Sequence, residues 1–187
     1  NSPPFPNATN QGTLTGMNTG LNNCTGNCSG WTLGGRIGNG LAFDGVNDYV
    51  DAGNGESLNI TTGSFTISFW LKTTQSILSG QSIYFYKENS VWKYYLINLM
   101  PTTGKARLKL YDGTNVPSVQ TNSAINDGKW HYLTFIRDIS ASKLYSYTDG
   151  SSVISATDTS LSSFPTNSKL QIGDSYGSSD TGNNFYG

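Results

Sequence analysis

The chain has 187 residues, of which 12% are charged, and its formal net charge at pH 7 is −1. A chain of this length forms one domain with a substantial core. The near-neutral charge without clustered Lys and Arg argues against a nucleic-acid partner, and no apolar stretch is long enough to span a membrane.

Residues 1–30 form a loop-rich N-terminal segment, which we assign to the same domain as residues 31–187. The segment is rich in Pro, Asn, Gly and Thr, and only residues 12–17 suggest a short strand. Its first residues, NSPPFPN, are not a signal peptide, so we expect a mature or processed fragment if the protein is secreted.

The N-terminal segment carries a Cys-x₃-Cys pair, Cys24 and Cys28. Two cysteines and one distant histidine cannot complete a closed zinc site. The pair therefore predicts a small local disulfide and an oxidising compartment. Acceptor sequons for N-glycosylation, two of them beside this pair, occur at Asn7, Asn23, Asn27 and Asn59.

Residues 43–51, FDGVNDYVD, predict a strand, a polar loop and a second strand. Asp44, Asn47 and Asp48 place hard oxygen ligands at short spacing, which suits Ca²⁺. The same residue types are also ordinary turn-formers, so the sequence leaves both interpretations open. No Glu stands at EF-hand spacing, which excludes that motif.

From residue 31 onward, short alternating runs recur between turn signals, which predicts a β-sandwich. Within residues 65–72, Phe65, Ile67, Phe69 and Leu71 alternate with other side chains, so one face of this strand belongs to a core. The Asp-Gly pair at 149–150 predicts a tight hairpin turn. Further strands are predicted at 82–87, 91–99, 106–111, 130–137, 143–148, 153–156 and 170–172.

Five blocks of this chain, in this order, resemble the laminin-G-like, concanavalin A-like domains of secreted and surface proteins. They are GLAFDGVNDYVDAG (40–53), SLNITTGSFTISFWLKT (57–73), NDGKWHYLTFIRD (126–138), KLYSYTDGSSV (143–153) and LQIGDSYG (170–177). The resemblance implies an all-β jelly-roll sandwich of two antiparallel sheets over about residues 30–187. It also implies a calcium ion, which many members carry. The fold hosts lectins, adhesion modules, structural domains and some glycosidases, so it leaves function open.

The resemblance further implies a last strand after the FYG motif at 185–187, paired with a first strand. Both look missing here, and three interpretations stay open. The ends were removed or not observed, the N-terminal segment substitutes as an atypical edge strand, or another subunit donates a strand. The last interpretation would make the chain a filament subunit.

Enzymatic chemistry finds little support in the sequence. Glu56 and Glu88 are the only glutamates, and they form no closely spaced pair of the kind that glycosidases of this type use. His131 is the only histidine, and no Gly-x-Ser-x-Gly elbow accompanies it. We therefore predict a non-enzyme.

Binding chemistry is better represented, because sugars stack on aromatic faces and hydrogen-bond to polar loops. Candidate exposed aromatic residues are Tyr84, Tyr86, Trp92, Tyr94, Tyr95, Tyr111, Tyr145, Tyr147 and Tyr176. The predicted binding site at the rim comprises Asp112, Asn115, Asp174, Tyr176 and Asp180.

The sequence thus predicts an extracellular, non-enzymatic carbohydrate-binding or adhesion module whose partner is a glycan or a matrix component. The main alternative is a structural subunit of a pilus-like surface filament, assembled partly by strand complementation. A third reading is an accessory domain of a glycan-processing enzyme.

Overall fold

The computed structural model describes residues 13–15, 18–22, 30–45, 48–53, 58, 62–76, 81–87, 93–160, 164, 170–173 and 185–187. The described part of the chain is all β. Its strands are β1 (Thr13–Thr15), β2 (Asn18–Asn22), β3 (Gly30–Thr32), β4 (Gly40–Ala42), β5 (Tyr49–Gly53), β6 (Phe65–Lys72), β7 (Gln81–Lys87), β8 (Tyr94–Leu99), β9 (Ala106–Tyr111), β10 (Ser118–Gln120), β11 (Trp130–Asp138), β12 (Lys143–Thr148), β13 (Ser152–Thr157) and β14 (Leu170–Ile172).

Two antiparallel sheets form the body of the domain, as the sequence predicts. The large sheet has seven strands in the order β1-β5-β14-β7-β8-β9-β10, and the small sheet has four in the order β13-β12-β11-β6. A further sheet, β2-β3-β4, was not predicted, and its β2–β3 pairing is parallel. The predicted short strand near residues 12–17 is confirmed as β1, which lies at one edge of the large sheet.

The core lies between the two main sheets and follows the alternation of their strands. In β9, Ala106, Leu108 and Leu110 are fully buried, while the residues between them are half-exposed. Leu133 and Phe135 of β11 are buried in the same way on the facing sheet. Apolar burial of this kind stabilises a fold by about 25 cal/mol per Å².

The small sheet confirms the hairpin that the Asp-Gly pair predicts. Strands β12 and β13 pair in register from Lys143↔Thr157 to Thr148↔Ser152. Asp149 (φ 54°) and Gly150 (φ 74°) both adopt left-handed backbone conformations, as a type I′ turn requires. The Ser151 amide donates to the Thr148 carbonyl at 3.2 Å and closes the turn.

A buried charge sits among the apolar side chains of the core face of β11. Arg137 follows Leu133 and Phe135 in the alternation and is only 3% exposed. Its Nε donates to Asp158 Oδ2 at 2.7 Å, and its Nη2 donates to Ser160 Oγ at 2.9 Å. The pair holds the segment after β13 against the small sheet.

The FDGVNDYVD segment does not form a hairpin of its own, because its two strands join different sheets. Strand β4 belongs to the three-stranded sheet, whereas β5 belongs to the large sheet. Phe43 instead pairs with the end of the chain, since its amide donates to the Gly187 carbonyl at 2.8 Å and its carbonyl accepts from the Gly187 amide at 3.1 Å.

Candidate functional site

The outward face of the large sheet gathers aromatic, amide and cationic side chains on β8 and β9. Tyr95, Ile97 and Leu99 point inward and are fully buried, so the residues between them point outward. Cross-strand pairing then sets Tyr94 beside Tyr111, Leu96 beside Lys109, and Asn98 beside Arg107. We call this patch the tyrosine face, defined by Tyr94, Asn98, Arg107, Lys109 and Tyr111.

The aromatic part of the tyrosine face is a pair of neighbouring rings. The Tyr94 and Tyr111 ring centroids are 5.5 Å apart with an interplanar angle of 50°. Both residues are half-buried, and the Lys109 ammonium lies 5.5 Å from the Tyr94 ring centroid. A cation near an aromatic ring fixes the ring and adds a hydrogen-bond donor beside it.

The polar part of the tyrosine face is organised by Arg107. Its Nε donates to Asn98 Oδ1 at 3.2 Å, and Gln120 of β10 lies opposite it in the register. Burial lowers the pKa of Arg107, and the neighbouring Tyr94 acts in the opposite direction. The guanidinium stays charged at neutral pH because an arginine side chain is not deprotonated in proteins.

The loop after β9 borders the tyrosine face and contains two of the predicted rim residues. Asp112 is 2% exposed, and its carboxylate accepts from the Thr114 amide at 2.9 Å and the Asn115 amide at 2.6 Å. The Tyr111 hydroxyl donates to the Gly113 carbonyl at 3.1 Å. Asp112 therefore shapes the loop from inside, whereas Asn115 is half-exposed beside it.

The other predicted rim residues, Asp174, Tyr176 and Asp180, lie outside the described residues. Among the aromatic candidates, the prediction for Tyr95 was wrong, because its ring is fully buried in the core against Phe65 and Phe164. The alternation of β8 places Tyr95 on the inward face, one residue from the outward Tyr94.

The predicted calcium loop is closed by one of its own carboxylates. Asp48 is fully buried, and its Oδ2 accepts from the Asp44 amide at 2.8 Å. Asn47 lies outside the described residues, and within the described ranges no group of three or more His, Cys, Asp and Glu side chains could hold a metal. The described atoms thus favour the turn-forming role, and Ca²⁺ binding stays a prediction.

The predicted disulfide and the predicted glycosylation sites fall outside the part of the chain that the structure describes. This applies to Cys24, Cys28, Asn7, Asn23, Asn27 and Asn59.

His131 is held between two carboxylates, an arrangement that sequence reasoning missed. Its Nδ1 lies 2.9 Å from Asp149 Oδ2, and its Nε2 lies 3.0 Å from Asp127 Oδ1. Burial lowers the pKa of His131, but the hydrogen bonds to both carboxylates outweigh it and the net pKa is raised. The pKa of Asp127 is lowered, first by the Lys129 amide and then by His131. The arrangement ties the loop before β11 to the β12–β13 turn.

The tyrosine face was also missed as a unit. The sequence shows Lys105, Arg107 and Lys109 on one strand face, which suggests only a solvated surface. The sequence signal that could have found it is the alternation of β8, which places Tyr94 and Asn98 on the same side of the sheet as Arg107 and Lys109 of β9. The pairing register that joins the two rows is set by tertiary structure.

No helix in the described part of the chain is long and apolar enough to cross a membrane. Comparison with the curated proteins gave no match.

Solved structures share the fold at low sequence identity. Domain 4 of an extracellular GH43 arabinanase from Geobacillus stearothermophilus, in complex with arabinotriose, matches with TM-score 0.63 and 20% identity, covering 94% of this chain and 77% of that one. The CBM40 of a Ruminococcus gnavus sialidase, bound to α2,3-sialyllactose, matches with TM-score 0.53 and 15% identity, covering 67% and 71%.

Mouse laminin α1 chain domains LG4-5 match with TM-score 0.55 and 15% identity over 72% of this chain. The chain spans 36% of the length of that laminin structure. A family model described as the concanavalin A-like lectin/glucanases superfamily matches residues 11–187. The chain therefore belongs to the concanavalin A-like lectin/glucanases superfamily, in its laminin-G-like form.

Proposed function

We propose that this chain is an extracellular, non-enzymatic carbohydrate-binding module, and that the tyrosine face contacts the glycan. The observation that carries the proposal is the juxtaposition of the Tyr94–Tyr111 ring pair with Arg107 and Lys109 on one sheet surface. Two of the structural neighbours were solved as sugar complexes, one with arabinotriose and one with sialyllactose, which supports the ligand class.

The chemistry of the tyrosine face suits a sugar. The apolar C–H side of a pyranose or furanose ring packs against a tyrosine ring, while hydroxyl groups around the ring edge need donors and acceptors. Lys109 and Arg107 supply donors. Asn98 is buried and positions Arg107, since its Oδ1 accepts from Arg107 Nε and its Nδ2 donates to the Leu99 carbonyl. A ligand lying across β8 and β9 meets both kinds of contact at once.

The charge of the tyrosine face favours an acidic glycan. The described outward positions of β8, β9 and β10 include Arg107 and Lys109 and no carboxylate, since Asp112 lies buried in the loop beyond them. A carboxylate or sulfate on the sugar therefore meets two cations, and charge-assisted hydrogen bonds of this kind are stronger than neutral ones. We expect uronic, sialic or sulfated sugars to bind more tightly than neutral sugars.

The non-enzymatic part of the proposal rests on how the described titratable groups are used. His131 is engaged by Asp127 and Asp149, and Arg137 by Asp158, so both serve local structure. The extracellular part rests on the family and on the predicted sequons and Cys pair. A calcium ion at Asp44, Asn47 and Asp48 is proposed only as a loop-stabilising ion.

The test is a glycan array probed with the wild-type chain and two matched variants. Tyr94→Ala removes one ring of the tyrosine face, and Tyr145→Ala removes a half-buried ring from the outward face of the small sheet. Loss of a stacking anchor costs about 2 kcal/mol, roughly a thirtyfold weaker affinity. We expect this loss for Tyr94→Ala and unchanged binding for Tyr145→Ala.

Two further binding measurements test the calcium proposal and the acidic preference separately. A repeat in EDTA tests the calcium proposal separately, since sugar binding that survives chelation places any ion outside the binding chemistry. A salt series tests the acidic preference, because binding between charges weakens as ionic strength rises. If no glycan binds with or without calcium, or if both tyrosine variants bind as wild type does, the proposed face is wrong.

A further inference from the structure

The outward side of the small sheet is a regular array of uncharged side chains. Phe135 of β11 and Leu144 of β12 are fully buried, so the residues that alternate with them point away from the core. Cross-strand pairing places these outward residues in two complete rows across the four strands. We call this surface the back face, and its rows consist of Ser68, Thr134, Tyr147 and Val153, and of Thr66, Ile136, Tyr145 and Ser155.

The back face is open to solvent and partly apolar. Four of its eight residues are exposed and the other four are half-buried, and Val153 is 53% exposed. The adjoining row continues it with an aromatic pair, since Trp70 and Tyr132 are cross-strand partners with ring centroids 5.1 Å apart. Exposed apolar atoms gathered on one sheet surface gain free energy when a partner covers them.

The back face carries no charge. Its eight residues include no Asp, Glu, Lys or Arg. At one border Asp138 and Lys143 are cross-strand partners, so their opposite charges lie side by side. The Ser68 and Thr134 hydroxyl oxygens lie 3.0 Å apart in a hydrogen bond, so these two groups already satisfy each other. A strongly charged partner therefore finds no complementary group on the back face.

A second copy of this chain suits a surface of this kind. In a two-fold symmetric dimer the same patch serves both partners, so a net charge on it would face its own copy. The back face has no such charge, whereas pairing through the tyrosine face would bring together Arg107 and Lys109 of both copies. The chemistry of the two outer surfaces thus favours self-association through the small sheet.

The size of the back face sets the expected strength of a dimer. Four strands about 4.8 Å apart, each presenting about six residues at about 3.3 Å per residue, give a face of roughly 19 by 20 Å. Two copies would then bury roughly 800 Å², to which the row of Trp70 and Tyr132 adds, and this is the range of weak, transient interfaces. We therefore expect association in the micromolar range.

We propose that the back face is a dimerisation surface, through which two copies of this chain pack small sheet against small sheet. Because the tyrosine face lies on the other side of the sandwich, both tyrosine faces stay exposed and point in opposite directions. Packed sheets lie about 10 Å apart, so the two large sheets of the dimer lie about 30 Å apart. The dimer then bridges two glycan-bearing surfaces, a consequence that rests on the proposed function of the tyrosine face.

The test measures the mass of the protein by sedimentation equilibrium between about 1 and about 500 µM, a range that brackets a micromolar dimer. We expect the weight-average mass to rise from that of one chain toward that of two. High salt should not weaken the dimer, because screening acts only on charges. In ¹⁵N spectra recorded at rising protein concentration, the amides of β11, β12 and β13 should shift, and those of β8 and β9 should not.

Three lysine variants locate the interface. Thr134→Lys puts a charge at the centre of the back face, and Val153→Lys puts one at its edge. Each should weaken the dimer at least about tenfold, because the interface would bury an unpaired charge from each copy. Val116→Lys is the matched control, since Val116 is 51% exposed in the loop after β9, and it should leave the dimer unchanged. Far-UV circular dichroism checks each fold, and the exposed position of Val153 makes that variant usable even if Thr134→Lys misfolds.

Four outcomes overturn the proposal. The mass of one chain at every concentration shows that the back face does not pair with itself. Equal weakening by Val116→Lys, or a dimer that salt abolishes, shows that the copies pair through another surface. Amide shifts on β12 caused by a glycan at a fixed, dilute protein concentration show that the back face binds sugar instead. The mass measurement uses no glycan, so its failure and the failure of the carbohydrate-binding proposal are told apart.

Discussion

The buried Arg137–Asp158 pair gives a prediction whose magnitude follows from its geometry. Both side chains are 4% exposed, and Nε and Oδ2 are 2.7 Å apart. Arg137 also donates to Ser160 Oγ at 2.9 Å and lies 5.1 Å from the Phe164 ring centroid. Removing one member therefore leaves a charge in a place that water does not reach.

The predicted cost of each single change is about 3–5 kcal/mol, the range for breaking a buried pair from one side. Arg137→Met leaves the Asp158 carboxylate without its cation, although the Ser160 amide still donates to it at 2.9 Å. Asp158→Asn leaves the guanidinium beside a neutral amide. For a domain of this size, about 2–4 °C of melting temperature corresponds to 1 kcal/mol, so each variant should melt about 6–20 °C lower.

The assay is a double-mutant cycle by urea unfolding. We expect the double variant Arg137→Met with Asp158→Asn to cost less than the two single changes together, by about 1–3 kcal/mol. Lys129→Met is the matched control, because the Lys129–Asp127 pair is exposed at 78% and 42%, and its loss should leave the melting temperature unchanged. Single variants that unfold as wild type does, or strictly additive effects, would refute the reasoning.

Three further predictions concern the His131 clasp, in which His131 is held between Asp127 and Asp149, the core, and the loop between β4 and β5. Because the folded pKa of His131 is raised, its stabilisation is fully present below its ordinary pKa of about 6.5 and is lost as pH rises through the folded value. His131→Asn should therefore destabilise the domain more at about pH 5 than at about pH 9 in urea titrations, and an equal loss at both would contradict the clasp. Phe135→Ala should cost about 3–5 kcal/mol in the same assay, and a loss below about 1 kcal/mol would show a loosely packed core. Asp48→Ala removes a charged acceptor from the Asp44 amide and should cost about 1.5–3 kcal/mol in EDTA and more in added Ca²⁺, because the variant also loses a ligand of the proposed ion.

The strands were predictable because each buries one face, so apolar residues recur at every second position of the strand. Phe65, Ile67, Phe69 and Leu71 show it in β6, and the structure pairs that strand with β11 in unbroken register. The Asp149-Gly150 turn was predictable because few residue types adopt two consecutive left-handed conformations.

Sheet membership was not predictable in the same way, because alternation does not say which strand is the neighbour. β4 and β5 are separated by one short loop yet join different sheets. The tyrosine face and the His131 clasp depend on such pairings, since Tyr94 meets Tyr111 and His131 meets Asp149 only after the strands are in register.

The buried arginine illustrates a signal that the sequence did contain. Arg137 follows Leu133 and Phe135 on the core-facing side of β11, and a charge at such a position needs a buried partner. Its partner, Asp158, lies 21 residues further along the chain. The pattern therefore predicts that Arg137 has a buried acidic partner, but it does not identify which residue that is.

The most direct measurement of the central claim is an NMR titration of the ¹⁵N-labelled domain with the best-binding glycan from the array. We predict that the largest amide shifts fall on β8, β9 and the loop beside them, centred on Tyr94, Arg107 and Tyr111, while the amides of β12 stay unchanged. Shifts centred on β12, with the amides of β8 and β9 unchanged, would contradict the assignment of the tyrosine face as the carbohydrate-binding surface.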